Sequence, residues 1–223
     1  MTPMVLELEN CRIRHPGAGE WYSYPDLNLT AGFCLALMGR TGSGKTTLLN
    51  ALFGYSFSGT VMYRRARILG RELRVWGKDR YQVISYMPQF VQSGFNPSLT
   101  VGQQLRLAGG GNIDEDRLRS FFLELDLTET VEQLHPFQIS GGMKQRLALV
   151  MGFLKAPRLF VLDEPSSALD YITLRRTLRF LRARKAEGCA MVVVSHHPGF
   201  IEGIADQVVQ LGEVDNNAKT LAG

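Results

Sequence analysis

The chain has 223 residues, a net charge of +4, 45% hydrophobic and 21% charged residues, which excludes a disordered or collagen-like polymer and suits one large domain that buries a core without disulfide staples. The basic excess is carried by Arg64, Arg65, Arg67, Arg71 and Arg74 and by Arg175, Arg176, Arg179, Arg182 and Arg184. Phe180 is the one aromatic within the second group and no aromatic pattern interleaves it, so these arginines read as solvated faces and no nucleic-acid partner is expected.

Cys11, Cys34 and Cys189 are far apart and odd in number, a pattern of buried free thiols. Residues 1–10 alternate like a strand and have no basic flank before an apolar run, so no signal peptide is expected. No apolar run reaches the roughly 18–20 residues that cross a bilayer. Work at a membrane would be done from the water side, through partners.

In chain order, Val5, Leu6 and Leu8 against Glu7 and Glu9 predict a strand over 4–9, and alternation continues over 11–15. His15-Pro16-Gly17-Ala18-Gly19 is a turn. Extended structure resumes over 22–30, and 33–38 is an apolar strand. Then comes Gly39-Arg40-Thr41-Gly42-Ser43-Gly44-Lys45-Thr46-Thr47, opening a helix over 46–53. Strand, Gly-rich turn and helix is the setting of a phosphate-binding loop. Glycines let successive N–H groups converge on an anion, and the helix start adds unpaired donors. Lys45 would reach the β- and γ-phosphates of a nucleotide, and Thr46 would ligate Mg2+.

Short strands follow over 60–63 and 66–69, and residues 70–79 connect them onward. A buried strand is predicted over 81–87, ending at Pro88-Gln89. Residues 90–100 read as a loop. A helix over 101–108 has Thr100 as its N-cap, and Gly109-Gly110-Gly111 breaks it. An amphipathic helix over 114–125 spaces Leu118, Phe121, Phe122 and Leu125 at three and four. Another turn or two covers 129–134, and Ser140 caps a helix running to 154. Residues 90–156 are thus an all-helical insert.

The strand over 158–162 ends in Asp163-Glu164-Pro165. A helix over 169–186 is predicted to point Leu174, Leu178 and Leu181 inward and its arginines outward, with Gly188 as its stop. The strand over 190–194 ends at Ser195-His196-His197. A short helix over 199–205 and a strand over 207–211 close the pattern. Wholly apolar strands alternating with helices give an α/β fold, a parallel sheet covered on both faces, with a small antiparallel sheet beside it.

In such a sheet ligands sit beyond the carboxyl ends of the strands. The phosphate loop, Gln89, Asp163-Glu164 and His196 all fall at such ends. Asp163 can hold Mg2+ through water, opposite Thr46. Glu164 can act as general base on the attacking water. Ser140-Gly141-Gly142 bares a second helix N-terminus to an anion. One chain has little use for two γ-phosphate sites, so the second invites a dimer in which each chain closes the other's nucleotide.

Together, and in this order, the motifs resemble those of the ATP-binding subunit of an ABC transporter, over nearly the whole chain. They are the phosphate loop at 39–46, the Q-loop Gln89, the signature Ile139-Ser140-Gly141-Gly142, the Walker B strand at 159–163 with Glu164, the D-loop Ser167-Ala168-Leu169-Asp170 and the switch His196. The resemblance implies a single ATPase domain over 1–223. Residues 1–89 and 157–223 would form a P-loop NTPase (RecA-like) core with its antiparallel β subdomain, and 90–156 the helical signature subdomain. It also implies that two such chains, identical or paralogous, sandwich two ATP molecules with Mg2+. Residues 39–47 would bind one ATP, and Ser140 and Gly142, flanking Gly141, would contact the γ-phosphate held by the opposite chain. Gln89 would sense Mg2+ and couple to the membrane subunit, and His196 would touch the γ-phosphate. Residues 90–99 would receive a coupling helix of a transmembrane permease. A solute-binding protein and a peripheral place on the cytoplasmic face of the inner membrane complete the expectation.

Met143 followed by Gln145-Arg146-Leu147, the run Phe95-Asn96-Pro97-Ser98-Leu99-Thr100-Val101-Gly102, and Ala205-Asp206-Gln207-Val208 resemble the oligopeptide, dipeptide and nickel (metal-chelate) importers of the family. Two features depart from the pattern. The position where the family stacks an aromatic ring on adenine is best matched by His15, with Trp21, Tyr22 and Tyr24 as neighbours. His197 stands where the group has Asp. The chain ends soon after Gly212 without the cysteine-bearing extension of that group, so no added metal-sensing module is expected. The alternatives are importers of another substrate class, and the same engine used off the membrane with a cytoplasmic partner. Lys45, Asp163 and Glu164 argue against a non-enzymatic adaptor.

Overall fold

The computed structural model describes residues 2–17, 19–54, 57–111, 113–167 and 169–212. Ala18 of the expected turn and Ala168 of the expected D-loop lie outside them. Strands β1 (Met4–Glu9), β2 (Cys11–Arg14), β3 (Tyr22–Tyr24), β4 (Leu27–Thr30) and β5 (Cys34–Met38) lead into helix α1 (Lys45–Phe53). Strands β6 (Thr60–Met62), β7 (Arg65–Ile68), β8 (Arg71–Glu72) and β9 (Ile84–Met87) follow. Helices α2 (Val101–Ala108), α3 (Glu115–Glu124) and α4 (Gly141–Phe153) come next. The chain continues through β10 (Leu159–Asp163), α5 (Tyr171–Ala186), β11 (Ala190–Val194), α6 (Pro198–Ile204) and β12 (Gln207–Gln210). Among the described residues of 90–156 there are helices and turns and no strand.

The parallel sheet runs β12-β5-β11-β10-β9. Its inner strands are apolar throughout, and strand alternation splits their side chains between two cores. Cys34, Ala36, Phe160, Leu162, Met191 and Val193 join α3–α6 on one face. Leu35, Leu37, Leu159, Val161, Val192 and Val194 join α1 and the N-terminal strands on the other. The expected antiparallel sheet is in fact two, ordered β4-β1-β7-β8 and β3-β2-β6. The chain crosses between them at Asn10, whose φ is 50°, and again at Pro25-Asp26. The Asp26 carboxylate accepts the Asn10 N–H at 2.8 Å and locks the two crossings together. Their apolar residues complete the second core, so these sheets cover a face of the parallel sheet.

Local signals set the helix ends. Thr100 and Gln103 form a reciprocal capping box on α2. Ser140 accepts from the Met143 N–H to start α4. Asp170 accepts from Ile172 and Thr173 to start α5, and these bonds hold its carboxyl below its ordinary range. Gly188, at φ 99°, takes the left-handed turn that ends α5.

Two local expectations need correction. The strand predicted over 81–87 begins only at Ile84. Residues Lys78–Gln82 are wound into a 3-10 turn, because Arg80 and the Tyr81 hydroxyl both donate to the Gly54 carbonyl that ends α1. Arg184 does not point outward. It is buried against the rings of Phe121 and Phe180 and meets Glu124 and Glu187. The other basic group, Arg64 to Arg71, is paired with Glu7, Glu9, Glu72 and Asp79.

Phe160 is fully buried, edge-on to Phe153 at 4.6 Å between centroids. A Cβ on Gly152 would lie 2.3 Å from its ring. Phe160→Ala is expected to cost about 3–5 kcal/mol of stability, read from the denaturant midpoint, because the rigid sheet cannot close the cavity.

Candidate active site

The carboxyl ends of β5, β9, β10 and β11 meet at one rim, as a parallel sheet requires. A cleft of about 250 Å³ lies there. Thr41, Gly42, Gly44, Lys45, Thr46, Thr47, Gln89, Asp163, Glu164 and His196 line it, together with Tyr22 and Val194. Eleven residues named from the sequence, Tyr22 among them, thus converge on one cavity, although up to 174 positions separate them (Tyr22 to His196).

The loop ahead of α1 is held open by its own chain. Gly42 and Gly44 have φ of 87° and 86°, a conformation that costs other residues a steric clash. A Cβ on Gly44 would lie 2.6 Å from both Tyr22 Cδ1 and the Tyr24 hydroxyl. Tyr24 donates to the Gly44 carbonyl at 2.9 Å. No side chain caps α1, so its first N–H groups stay available. Lys45 is buried, and its Nζ donates to the carbonyls of Gly39 at 2.7 Å and Arg40 at 2.9 Å. Burial lowers its pKa, and Glu164 and Asp163 oppose that shift. Ser43 is buried with its Oγ unpartnered, and Gly39 and Arg40 complete the loop.

Asp163 ends β10. Its Oδ2 accepts from Thr46 Oγ1 at 3.4 Å. Glu164 follows with φ 52°, a strained value for a non-glycine residue. Its N–H donates to the Val194 carbonyl at 2.8 Å, which fastens the turn to β11. One carboxylate oxygen, Oε2, accepts the His196 N–H at 3.3 Å, while His196 Nε2 stands 3.4 Å from the other. Glu164 is 7% exposed, and Oε1 lacks a hydrogen bond. The nearest group to this buried oxygen is thus the His196 ring, at ion-pair distance, and the carboxylate sits at the mouth of the phosphate loop's cleft.

Burial, with Glu164 beside it, pushes the Asp163 pKa from its ordinary 3.8 up to about 6; the Thr46 hydroxyl, Lys45 and His196 pull the other way. The native state therefore holds this proton more tightly than the unfolded state. The group's stabilisation is complete below pH 4 and is lost as pH rises through about 6. Asp163→Asn is expected to raise stability by on the order of 2 kcal/mol at pH 8, with the gain vanishing below pH 4. Denaturant midpoints measured across pH check this.

Two groups of expected site residues lie elsewhere. Ser140, Gly141 and Gly142 do not line this cleft. They start α4 at the surface, and a Cβ on Gly142 would meet open space. His15 is exposed; its Nε2 is 2.9 Å from Thr47 Oγ1, and its ring is edge-on to Tyr22 and Phe57. Tyr22 is the ring that reaches the cleft.

Sequence reasoning passed over two ties behind these residues. Gln145, buried on α4, donates to the Pro165 carbonyl just after Glu164. Ser166 and Ser195 share a buried hydrogen bond at 2.9 Å, joining the turns that carry Glu164 and His196. The only available signal was that Gln145 and Ser166 stand next to motif residues.

The family described as ABC transporter matches residues 23–167. The oligopeptide transport ATP-binding protein OppD of Haemophilus influenzae is 29% identical over 226 aligned positions, spanning 94% of this chain and 70% of that one. The zinc import ATP-binding protein ZnuC of Pseudomonas putida is 32% identical over 213, spanning 95% and 76%. A solved ATP binding subunit of an ABC transporter superposes with a TM-score of 0.79 at 25% identity, spanning 94% of this chain and 88% of that one. The dimeric post-hydrolysis form of the ATP-binding cassette MJ0796, bound to ADP and phosphate, superposes at 0.75 with 24% identity, spanning 94% and 96%, and shares the fold.

Proposed function

The chain belongs to the ABC transporter family as an ATP-binding, ATP-hydrolysing domain, and on that premise we propose that it powers solute import through transmembrane partner subunits. The observation that carries the reading is the single cleft joining Lys45, Thr46, Asp163, Glu164 and His196, with the Ser140 helix start outside it.

In this reading the triphosphate of ATP lies in the phosphate loop. Lys45 turns from the Gly39 and Arg40 carbonyls to the β- and γ-phosphates, and the α1 N–H groups face the same charge. Glu164 takes a proton from water as that oxygen bonds to the γ-phosphorus. The bond from the γ-phosphorus to the bridging oxygen breaks, leaving ADP and inorganic phosphate. His196 steadies the γ-phosphate and, through its backbone N–H, orients Glu164, the base. Hard oxygen donors suit Mg2+, and the facing Thr46 hydroxyl and Asp163 carboxylate would hold it, with Gln89 at the rim. When bound, the ion supplies charge neutralisation for the phosphates. Tyr22 is our candidate for the adenine ring, in preference to His15.

Ser140, Gly141 and Gly142 serve a second copy or a paralogue. They face open surface and carry the donors of a 13-residue helix, and MJ0796 is a dimer in its solved form. Residues 90–156 act as the lobe that presents them. A cleft of about 460 Å³ between β9 and α4, lined by Met87, Val91, Phe95, Leu107 and Met151, receives an apolar helix of the permease. Among the described residues no helix is long and apolar enough to cross a membrane, so attachment to the cytoplasmic face is through that partner. A solute-binding protein delivers the cargo. OppD is named for oligopeptides and ZnuC for zinc at similar identity. The motif around Met143 favours the peptide, nickel or metal-chelate class.

Co-expression with the multispanning proteins of its own gene neighbourhood tests the proposal. A multispanning partner should co-purify with the chain and be lost with Leu107→Glu, an exposed change that spares ATP binding. Recovery with a water-soluble partner alone would sink the transport reading.

A further inference from the structure

A separate cleft of about 290 Å³ opens at the other end of the parallel sheet, where residues precede β5, β10 and β11. Its charged lining is Arg117 of α3, Arg158 ahead of β10, and Arg184 and Glu187 at the end of α5. Arg184 is 7% exposed. Its two terminal nitrogens meet Glu124 at 3.2 Å and Glu187 at 2.9 Å, but its Nε is buried without a partner. Arg158 is exposed, and Arg117 lies over the Phe121 ring at 5.2 Å. Among the described residues neither has an ion pair. Glu124 and Glu187 thus neutralise Arg184 and leave Arg117 and Arg158 without a carboxylate, and the walls beside them are the apolar Phe153 and Pro157. The two unpaired cations, Arg117 and Arg158, gain nothing from each other, and an anion between them supplies the missing opposite charge and accepts forked hydrogen bonds.

We propose that this cleft binds a small organic anion, with a carboxylate or phosphate group held between Arg117 and Arg158 and an apolar portion against Phe153 and Pro157. Its volume is at the small end for ligand clefts. It draws walls from both the helical insert and the sheet, so the ligand bridges the two. It lies at the opposite ends of the strands from the phosphate loop, so ATP does not compete for it.

The test uses the full chain carrying Lys45→Ala, which weakens the phosphate loop as an anion site. Inorganic phosphate and malonate are titrated separately while the Gly188 and Cys189 amide resonances are followed. At least one anion should shift them saturably: phosphate alone marks a phosphate-bearing ligand, malonate alone a carboxylate. Arg117→Gln with Arg158→Gln should weaken that binding by about tenfold or more. Should the double variant lose its cooperative melt, Arg158→Gln alone carries the comparison. No saturable shift with either anion, or unchanged affinity in a folded variant, overturns the proposal.

Discussion

Glu164→Gln is expected to bind ATP as the parent does and to hydrolyse it about a hundred- to ten-thousandfold more slowly. The amide keeps the shape of the side chain and can still accept the His196 N–H, which now lies 3.3 Å from Oε2. It cannot take a proton from water at neutral pH. Because ATP would stay intact between two chains, the variant should accumulate as an ATP-dependent dimer. Steady-state phosphate release together with gel filtration, with and without ATP, measures both effects. Hydrolysis at the parental rate would remove Glu164 from the role of base.

Lys45→Ala is expected to act earlier, on binding. The lysine is buried, and burial already lowers its pKa; an anion at this point restores a full partner to a costly cation. Removing it forfeits a charge-assisted contact, so ATP affinity should fall by about ten- to a hundredfold, seen by equilibrium titration. The fold should persist, because the bonds lost inside the protein are to the Gly39 and Arg40 carbonyls at the loop surface. The two variants separate cleanly: one binds without turning over, the other scarcely binds.

The parts of this molecule that could be read in the sequence are those whose cause is local. Runs such as Phe160 to Leu162 and Met191 to Val194 are apolar at every position because both faces of the sheet are covered. Thr100, Ser140 and Asp170 are caps whose partners lie two or three residues away. The cleft residues stand at strand ends, so finding the strands also located the residues that share a rim. What was hidden depends on residues distant in the chain. Nothing near Arg184 announces that Glu124, 60 positions earlier, will draw it inward. Nothing near Tyr81 reveals that the end of α1 will claim its hydroxyl and unwind the start of the strand. The split of the N-terminal strands into two sheets comes at the left-handed Asn10, whose N–H is tied to Asp26, 16 positions on. Tyr22 on β3 and His15 just past the end of β2 meet edge-on, and only their three-dimensional placement separates the ring that reaches the cleft from the one that does not.

The left-handed backbone at Glu164 sets two selective pressures against each other. Glycine would occupy that conformation without strain, a gain on the order of 1 kcal/mol, and would also remove from the interior a carboxylate oxygen that makes no hydrogen bond. A library screened only for heat resistance should therefore enrich replacements at this position, and the hardiest survivors would be unable to turn over ATP.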